Sequence, residues 1–378
     1  MEAKGVEKMN MRRNIEQTKR ADNFGAGPTG LPLPVLQRVL DEGLSYGDSG
    51  MSVMEMSHRS RWFDDIQASA ETRLRRLLNL PEEFSVLFLQ GGASLQFAMI
   101  PMNFLGTGQT AGYVTTGSFA KKAYSEAKKV GSARIIASSE DSGFRTLPVI
   151  EGSVVPQDLA YVHFTSNNTI YGTQWQTWPT DVVPPVVADM SSDILSRPID
   201  ANRFHLIYAG AQKNLGIAGL TVVLVNKSWV YDKSVAGLPS MLSYQTHLDN
   251  DSRYNTPPTF AVYVLSVLLE WIEEQGGLPA ITERNEEKAR LLYGVLDDSD
   301  GFYQGVAEAN VRSKMNVTFR LEHQDLEPDF LSSAKAAGFV GLGGHRSVGG
   351  CRVSLYNAVD LAQVERLATF MQTFRSKH

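Results

Sequence analysis

The sequence contains a single cysteine, Cys351, among its 378 residues. One cysteine cannot form an intramolecular disulfide or a cluster of thiolate metal ligands. A reducing compartment, and hence a cytoplasmic location, fits this composition best. The seven histidines show no H-E-x-x-H or comparable ligand spacing. The sequence therefore predicts no metal site.

Two further features are lacking: an excess of positive charge and a long apolar run. The formal net charge of -5 provides no basic surplus to displace counterions from a nucleic acid, so no nucleic-acid partner is expected. The longest apolar stretches, such as FAVYVLSVLL from Phe260, reach about half of the roughly 20 residues that a membrane span needs, and no membrane association is predicted. Residues 1–20 mix lysine, arginine and glutamate without the apolar segment of a secretory signal, and we expect a flexible tail there.

Short apolar runs alternate with helical patterns through the first two thirds of the chain. This alternation predicts an α/β domain with a mainly parallel sheet and helices on its faces. The pattern changes after a long predicted helix that starts near Thr259 and ends at Gly276 and Gly277, which we expect to cap it. A chain of this length favours two domains, and the second should lie beyond these glycines. Six runs are typical of buried strands: residues 84–90, 111–116, 160–164, 185–189, 205–210 and 219–225.

The stretch YAGAQKNLGIAGLTVVLV, residues 208–225, places Lys213 between two predicted strands. Asp189 ends an earlier apolar run, and a buried carboxylate needs a cation or a helix N-terminus as its partner. Both residues should lie at the carboxyl edge of the sheet, where open α/β sheets bind ligands. A lysine that forms a Schiff base and an aspartate that keeps a ring nitrogen protonated meet the needs of pyridoxal phosphate. Taken singly, Lys213 could equally be a solvated turn residue, and Asp189 an N-cap.

The segment LQGGASLQ predicts a place for a phosphate group. A strand ends there, Gly91 and Gly92 allow a tight turn, and a helix begins with Ala93 and Ser94. Free backbone N–H groups and the positive end of the helix dipole would then point at one position, which suits an anion. A pair of glycines before a helix is also found in simple connections, so this segment gains weight only beside Lys213 and Asp189.

Two His-Arg pairs indicate recognition of an acidic substrate. They are His58 with Arg59 and His345 with Arg346, and Arg352 follows the second pair closely. Arginine presents a rigid fork of donors that matches carboxylate and phosphate oxygens. Each pair alone could instead form ion pairs on a surface loop.

Several motifs together resemble those of the phosphoserine aminotransferases, a family within class V of the pyridoxal-phosphate-dependent aminotransferases. The resemblance covers nearly everything after the first twenty residues, and the combination of YAGAQKN with GHRSVGG separates this family from other enzymes of its fold. The matching segments are NFGAGPTGLP, GMSVMEMSHRSRWF, LFLQGGASLQFAMIPMN, DMSSDILSRPID, YAGAQKNLGIAGL, NTPPTFAVY, KMNVTF and GHRSVGGCRVSLYNA.

The resemblance implies the fold and the assembly of the protein. The fold is fold type I of the pyridoxal phosphate enzymes, an α/β architecture with a mainly parallel seven-stranded sheet in the large domain and a smaller C-terminal α/β domain. Residues 33–277 would form the large cofactor-binding domain, and residues 21–32 would join residues 278–378 in the small domain. The family also implies a homodimer whose two subunits share their active sites.

The resemblance further assigns roles to the cofactor-binding residues. Lys213 would be the catalytic Schiff-base lysine, Asp189 the partner of the pyridine nitrogen, and Thr169 the neighbour of the phenolic oxygen. Many members place a tryptophan over the cofactor ring where this chain has Phe119, which can still stack with less area. The positions that match phosphate-binding residues are Ala93, Ser94 and Gln212 from one subunit and Asn255 and Thr256 from the other.

The substrate-binding residues follow from the same resemblance. Arg352 matches the arginine that binds the substrate α-carboxylate. His58 and Arg59, with His345 and Arg346 of the partner chain, match the site for the substrate phosphate or side-chain carboxylate.

The implied reaction is a transamination between 3-phosphohydroxypyruvate plus L-glutamate and O-phospho-L-serine plus 2-oxoglutarate, in L-serine biosynthesis. Whether 4-phosphohydroxythreonine in vitamin B6 biosynthesis is also a product stays open. The alternatives are another enzyme of the same fold, such as an alanine-glyoxylate type aminotransferase or a cysteine desulfurase, and a catalytically silent protein that binds the cofactor. A desulfurase is disfavoured because GGCRVSLY indicates that Cys351 lies packed at a strand entry.

Overall fold

The computed structural model describes residues 20–378. The tail predicted at residues 1–20 therefore lies, but for its last residue, outside the described residues. Within the described part, no helix is both long and apolar enough to cross a membrane. The helices are α1 Leu33–Asp41, α2 Arg61–Leu78, α3 Gly92–Phe104, α4 Ser118–Val130, α5 Lys227–Lys233, α6 Tyr244–Asp249, α7 Thr259–Glu274, α8 Gly277–Asp297, α9 Glu327–Ala336 and α10 Leu361–Arg375.

The strands of residues 20–378 form one large sheet and three small ones. They are β1 Asp22–Asn23, β2 Phe84–Leu89, β3 Thr110–Thr115, β4 Ser132–Ser138, β5 Val162–Thr165, β6 Asn167–Asn168, β7 Thr173–Gln174, β8 Val186–Asp189, β9 Leu206–Gly210, β10 Thr221–Asn226, β11 Tyr303–Gly305, β12 Asn316–Leu321, β13 Phe339–Val340 and β14 Cys351–Ser354. Seven of them lie in the order β2-β10-β9-β8-β5-β3-β4, and only the pairings of β10 with β2 and with β9 are antiparallel. The predicted fold class, a mainly parallel seven-stranded sheet, is thus confirmed.

All six predicted strands of the large sheet are present, but the seventh, β4, was not among the runs picked from the sequence. Its residues, SARIIAS, are largely exposed, and it pairs with β3 alone at the edge of the sheet. An edge strand lacks the continuous apolar run that identifies the buried strands of a parallel sheet. The sequence pattern therefore identifies strands through the apolar residues at buried positions, and an exposed strand such as β4 lacks that pattern.

Helix α2 shows how local sequence sets the packing on the sheet. The side chain of Ser60 accepts a hydrogen bond from the backbone N–H of Phe63, which caps the helix, and Asn79 ends it with a φ of 47°. Its buried face includes Phe63, Ile66 and Leu74 at helical spacing. This face packs against α7 and closes one side of the large core.

The described residues form three hydrophobic clusters. The larger core runs from Val35 to Ile281, and a second cluster, between Leu87 and Tyr244, lies within the same stretch of chain. The smaller core contains Phe24 and residues between 289 and 374. β1 pairs in parallel with β13, so the segment at Phe24 packs with the C-terminal part of the chain. The larger core includes Leu278 and Ile281, beyond the predicted boundary at residue 277, and the domains 33–277 and 21–32 with 278–378 stay a prediction.

The two glycines at 276 and 277 serve different helices. Helix α7 ends at Glu274, and Gly276 follows its cap with a φ of 96°, the left-handed conformation expected just beyond a helix end. Gly277, in contrast, is the first residue of α8. This helix was not predicted, because its apolar residues do not form one continuous stripe: the first of them pack in one core and the later ones in another. Leu278 belongs to the larger core, and Leu292 belongs to the smaller one.

Candidate active site

Lys213 lies in the connection between β9 and β10, at the carboxyl edge of the large sheet. Its Nζ donates a hydrogen bond to Oγ1 of Thr169, at 3.0 Å. Thr169 is 3% exposed and lies in the turn between β6 and β7. Gly27 approaches the lysine stem from a third segment, since a Cβ added there would lie 3.4 Å from Cγ of Lys213. Three distant segments thus converge on this side chain.

The surroundings of Lys213 favour the neutral amine more than water does. Burial lowers the pKa of Lys213 to about 8, although the negative charge of Asp189 opposes this change. The positive charge of Arg352 lowers the pKa further, and the charge of Asp193 raises it. A neutral amine is the form that attacks an aldehyde and accepts a proton.

Asp189 ends β8 and is 5% exposed. Its Oδ1 accepts a hydrogen bond from the backbone N–H of Ser191 at 2.9 Å, and no ion pair to it is formed by residues 20–378. Burial raises the pKa of Asp189, while Ser191 and Lys213 lower it. A buried carboxylate with no cation in contact fits a ligand that brings its own N–H⁺ group, such as a protonated pyridine ring.

Tyr208 and His163 lie beneath Asp189. Asp189 and Tyr208 are paired in register between β8 and β9, and the Tyr208 hydroxyl lowers the pKa of the carboxyl. Nε2 of His163 lies 2.8 Å from the Tyr208 hydroxyl, and burial lowers the pKa of His163 to about 3, so the ring is neutral. Sequence reasoning missed this pair. The sequence feature that could have indicated this pair is the presence of a polar side chain, His163 or Tyr208, within each of two apolar runs, residues 160–164 and 205–210.

The predicted phosphate site has the expected backbone geometry. β2 ends at Leu89, Gly91 adopts a φ of 87°, and α3 begins at Gly92 without a side-chain cap. A Cβ at position 91 would meet the side chain of Leu95 at 2.5 Å, so the close turn requires glycine. The N–H groups of the first turn, which includes Ala93 and Ser94, are thus free to bind an anion.

Two other predicted cofactor residues lie next to Lys213. Gln212 precedes it, and a Cβ added at Gly210 would lie 2.7 Å from Oε1 of Gln212, so this glycine leaves room for the amide. Phe119 is in the first turn of α4, and the Nζ of Lys213 lies 5.6 Å from the centre of its ring. The ring therefore borders the space in front of the lysine amine.

Arg352 brings a positive charge to the same place. It lies in β14, in the three-stranded sheet of β11, β12 and β14, and burial lowers its pKa. Its Nε is buried and has no hydrogen-bond partner within the described residues. A buried guanidinium N–H without an acceptor fits a carboxylate ligand, which can engage the fork of donors.

The two His-Arg pairs are not in contact with each other in the described chain. Arg59 is exposed on the loop before α2, and Arg346 is exposed on the loop between β13 and β14. His345 forms a hydrogen bond with Ser347 at 2.7 Å, and its pKa is lowered by partial burial and then by the charges of Arg352 and Arg346. The second pair therefore lies near Arg352.

Asn255 and Thr256 lie beside the predicted phosphate site of their own chain. The carbonyl oxygen of Thr256 accepts a hydrogen bond from Nε2 of Gln90, at 3.2 Å, directly before the turn at Gly91. Asn255 is partly exposed and Thr256 is exposed. Their predicted role at the cofactor of a second subunit stays a prediction.

Asp193 is a second buried carboxylate near Lys213, which sequence reasoning quoted but did not assign. It is 5% exposed, and its oxygens accept hydrogen bonds from Ser166 and from Nε2 of Gln174, the latter at 3.1 Å. Burial raises its pKa. Asp193 lies four residues after Asp189 and outside the apolar run that Asp189 ends. Its position in the sequence therefore did not indicate that it is buried near Lys213.

A family model matches most of the chain. The family model for class V aminotransferases, described as "Aminotransferase class-V", matches residues 22–367. The chain therefore belongs to the class V aminotransferases.

Similar proteins narrow this class. Phosphoserine aminotransferase of Geobacillus kaustophilus is 55% identical over 95% of this chain and 99% of its own length, and that of Bacillus subtilis is 52% identical over 95% and 99%. The solved phosphoserine aminotransferase of Bacillus circulans subsp. alkalophilus, 50% identical, covers 95% of this chain and 99% of its own with a TM-score of 0.92. Within its class, the chain belongs to the phosphoserine aminotransferase family.

The comparisons also confirm the predicted cofactor. The phosphoserine aminotransferase of Trichomonas vaginalis, 37% identical over 93% of this chain and 100% of its own with a TM-score of 0.88, was solved with pyridoxal phosphate bound. Here a desolvated lysine, a buried carboxylate without a cation and an uncapped helix start fit the aldehyde, ring nitrogen and phosphate of that cofactor.

The lowered pKa of Lys213 predicts how cofactor uptake depends on pH. We expect cofactor-free protein to recombine with pyridoxal phosphate faster as pH rises through about 8, because the neutral fraction of the amine increases there. A lysine with an ordinary pKa near 10.5 would give a rate that still rises steeply above pH 9. Stopped-flow absorbance checks this, with Lys213→Ala as the control that should show no such phase.

Proposed function

We propose that this chain is a homodimeric transaminase that transfers the amino group of L-glutamate to 3-phosphohydroxypyruvate, yielding 2-oxoglutarate and O-phospho-L-serine in L-serine biosynthesis. One observation carries the proposal most strongly. The desolvated Nζ of Lys213 is close enough to the buried carboxylate of Asp189 and to Arg352 for both charges to shift its pKa, and the Nε of Arg352 has no partner among residues 20–378.

The cofactor residues divide into those that hold the group and one that reacts. The backbone N–H groups at Ala93 and Ser94, with Gln212, would hold the phosphate, and Phe119 would cover the ring. Asp189 would keep the ring nitrogen protonated. Pyridoxal phosphate, when bound, supplies an electron sink for the bonds at the substrate α-carbon.

Lys213 acts as the proton carrier at the substrate. Its neutral Nζ accepts the proton of the α-carbon of glutamate in the first half of the reaction, and its protonated form returns a proton to the α-carbon of the product O-phospho-L-serine in the second half. Thr169 orients the amine through the hydrogen bond at 3.0 Å. Arg352 binds the α-carboxylate, a group that glutamate and 3-phosphohydroxypyruvate have in common, and so presents the α-carbon to Nζ.

The four residues of the His-Arg pairs would recognise the other end of each substrate. That end is a carboxylate in glutamate and a phosphate in 3-phosphohydroxypyruvate. The exposed guanidinium groups of Arg59 and Arg346 can adjust to either anion, in contrast to Arg352, which is half-buried. The two substrates occupy one pocket in turn, so ping-pong kinetics are expected.

Removal of both exposed arginines should reveal this role. In the double variant Arg59→Ala with Arg346→Ala, we expect kcat/KM for 3-phosphohydroxypyruvate to fall by about 10²-fold or more, because two charge-assisted hydrogen bonds to the phosphate are lost. The value for pyruvate, which lacks the phosphate, should change little. Steady-state rates with both acceptors measure the difference, and equal losses would argue against phosphate recognition.

Mixed dimers can test whether the two subunits share their sites. Chains with Lys213→Ala and chains with Arg346→Ala should each be nearly inactive with 3-phosphohydroxypyruvate. If Arg346 serves the partner's site, a heterodimer contains one site with both defects and one intact site. Random re-pairing should then restore about a quarter of wild-type activity. If Arg346 served its own chain's site, mixing would restore nothing.

A coupled assay separates the proposal from its rivals. We expect 2-oxoglutarate from glutamate with 3-phosphohydroxypyruvate as acceptor, and much less with glyoxylate. Preference for glyoxylate would favour an alanine-glyoxylate type enzyme, and no product with any acceptor would indicate a silent protein.

A cysteine desulfurase is disfavoured because Cys351 is 2% exposed and burial raises its pKa to about 12. This packed thiol and the lack of other cysteines support a cytoplasmic location.

A further inference from the structure

Lys288 is a buried charged residue that the proposed chemistry does not use. It lies in α8 and is only 1% exposed. Its Nζ donates hydrogen bonds to the carbonyl oxygens of Leu355 at 3.0 Å, Tyr356 at 3.0 Å and Val359 at 2.8 Å. Only the charged ammonium has three N–H donors for these three acceptors. Burial opposes that charge and lowers the pKa of Lys288 to about 7.

The three carbonyl groups belong to one turn, residues 355–359, which directly follows β14. This strand carries Arg352, three residues before the first of the carbonyls. The turn is held at its start by the N–H of Leu355, which donates to the carbonyl of Met315 at 2.7 Å. Lys288 therefore fixes the backbone that leaves the strand of the substrate arginine.

The same turn is tied to the loop that carries Lys213. The N–H of Asn357 donates to Oδ1 of Asn214, the neighbour of Lys213, at 3.0 Å. Asn285, three residues before Lys288 in α8, donates from its Nδ2 to Oδ1 of Asn357 at 2.9 Å. These asparagines are at most 8% exposed, so water cannot readily replace their partners.

We propose that Lys288 is a positioning residue of the transamination site, which fixes the guanidinium of Arg352 relative to the Nζ of Lys213 through the turn at residues 355–359. The inference rests on the proposed function, in which Arg352 binds the α-carboxylate of both substrates. Loss of the ammonium releases three buried carbonyl groups, and the turn must rearrange to find other donors. Both substrates then shift relative to Lys213 by the same amount, because both use the same carboxylate site.

The variant Lys288→Met tests this role, since it removes the charge and the donors but keeps a long unbranched side chain. The matched control is Lys314→Met. Lys314 is partly exposed and forms an ion pair with Glu286 of α8, the helix that carries Lys288. Holoenzymes are compared at equal content of bound pyridoxal phosphate. We expect KM for glutamate and for 3-phosphohydroxypyruvate each to rise about tenfold or more in Lys288→Met, because small displacements of a reacting group have large effects. Both values should stay close to wild type in the control.

A purely structural lysine would give a different result. Lys288→Met would then have a lower melting temperature and a smaller active fraction with both KM values unchanged, which would overturn the proposal. A rise in KM for one substrate alone would overturn it as well. Turnover of the wild-type holoenzyme, measured first, shows whether a failure belongs to this inference or to the proposed function.

A second variant keeps the test open if Lys288→Met does not fold. Asn214→Ala removes the acceptor of the Asn357 N–H and so unties the turn from the loop that carries Lys213, while Lys288 retains its three acceptors. The same parallel rise of both KM values is expected, on a smaller scale. Wild-type KM values for both substrates in this variant would contradict the proposed link between the turn and the site.

Discussion

Replacement of Lys213 by alanine should lower kcat by about 10⁴-fold, the upper end of what a positioned proton-transfer group contributes. No other lysine donates to Thr169, and within the described residues the Lys213 amine is the one that lies near Asp189 and Arg352 together. The visible absorbance of the purified holoenzyme should be lost in the same variant, because the covalent link to the cofactor aldehyde requires Nζ. Turnover and absorbance spectra of the purified protein measure both effects.

A matched control for this variant is Lys121→Ala. Lys121 is exposed, and its Nζ pairs with Glu140, so activity and absorbance should stay close to wild type. An external amine such as ethylamine should restore part of the activity of Lys213→Ala, since the cavity left by the side chain faces the substrate space. Full activity of Lys213→Ala without any added amine would refute the assigned role.

Replacement of Asp189 by asparagine should have the second largest effect. The amide oxygen can still accept the hydrogen bond from Ser191, so the fold around the end of β8 should persist. The negative charge that, in the proposed role of Asp189, would keep the cofactor ring nitrogen protonated is lost, however. We expect kcat to fall by about 10²- to 10³-fold, comparable to the loss of one preorganised group that stabilises developing charge. Steady-state kinetics at saturating substrate measure this fall.

The same substitution at Asp193 serves as the control. Asp193 is also a buried carboxylate, but its oxygens are taken up by Ser166 and Gln174. Asp193→Asn should therefore reduce kcat far less than Asp189→Asn, and its effect should appear mainly as a lower pKa of Lys213, because a neighbouring negative charge is removed. Equal losses in the two variants would mean that burial, rather than contact with the ring, explains the effect at Asp189.

The sequence predicts the catalytic edge of the sheet because that edge depends on local signals. Asp189 ends an apolar run and Lys213 follows another, and strands of a parallel sheet bring such ends together. Gly91 likewise indicates a tight turn at its own position, since a side chain there would collide with Leu95. The strand β4 escapes prediction because exposure at the sheet edge removes the apolar signal.

The groups that tune the site could not be predicted in the same way. The contact of His163 with Tyr208 joins positions 45 residues apart, and Lys288 meets its carbonyl partners 67 to 71 residues further along the chain. Such pairs depend on the register of strands and on helix packing, which no single segment encodes. The role of Arg59 and Arg346 depends in addition on a second subunit, so it stays a prediction from the family resemblance.

The most direct measurement is the first half-reaction, followed without any acceptor. Purified holoenzyme is mixed with L-glutamate alone, the released 2-oxoglutarate is quantified, and free glutamate is removed before 3-phosphohydroxypyruvate is added. We expect one equivalent of 2-oxoglutarate per active site, and then one equivalent of O-phospho-L-serine once the acceptor is present, as ping-pong transfer requires. No 2-oxoglutarate before the acceptor arrives, or no O-phospho-L-serine afterwards, would contradict the proposed transamination.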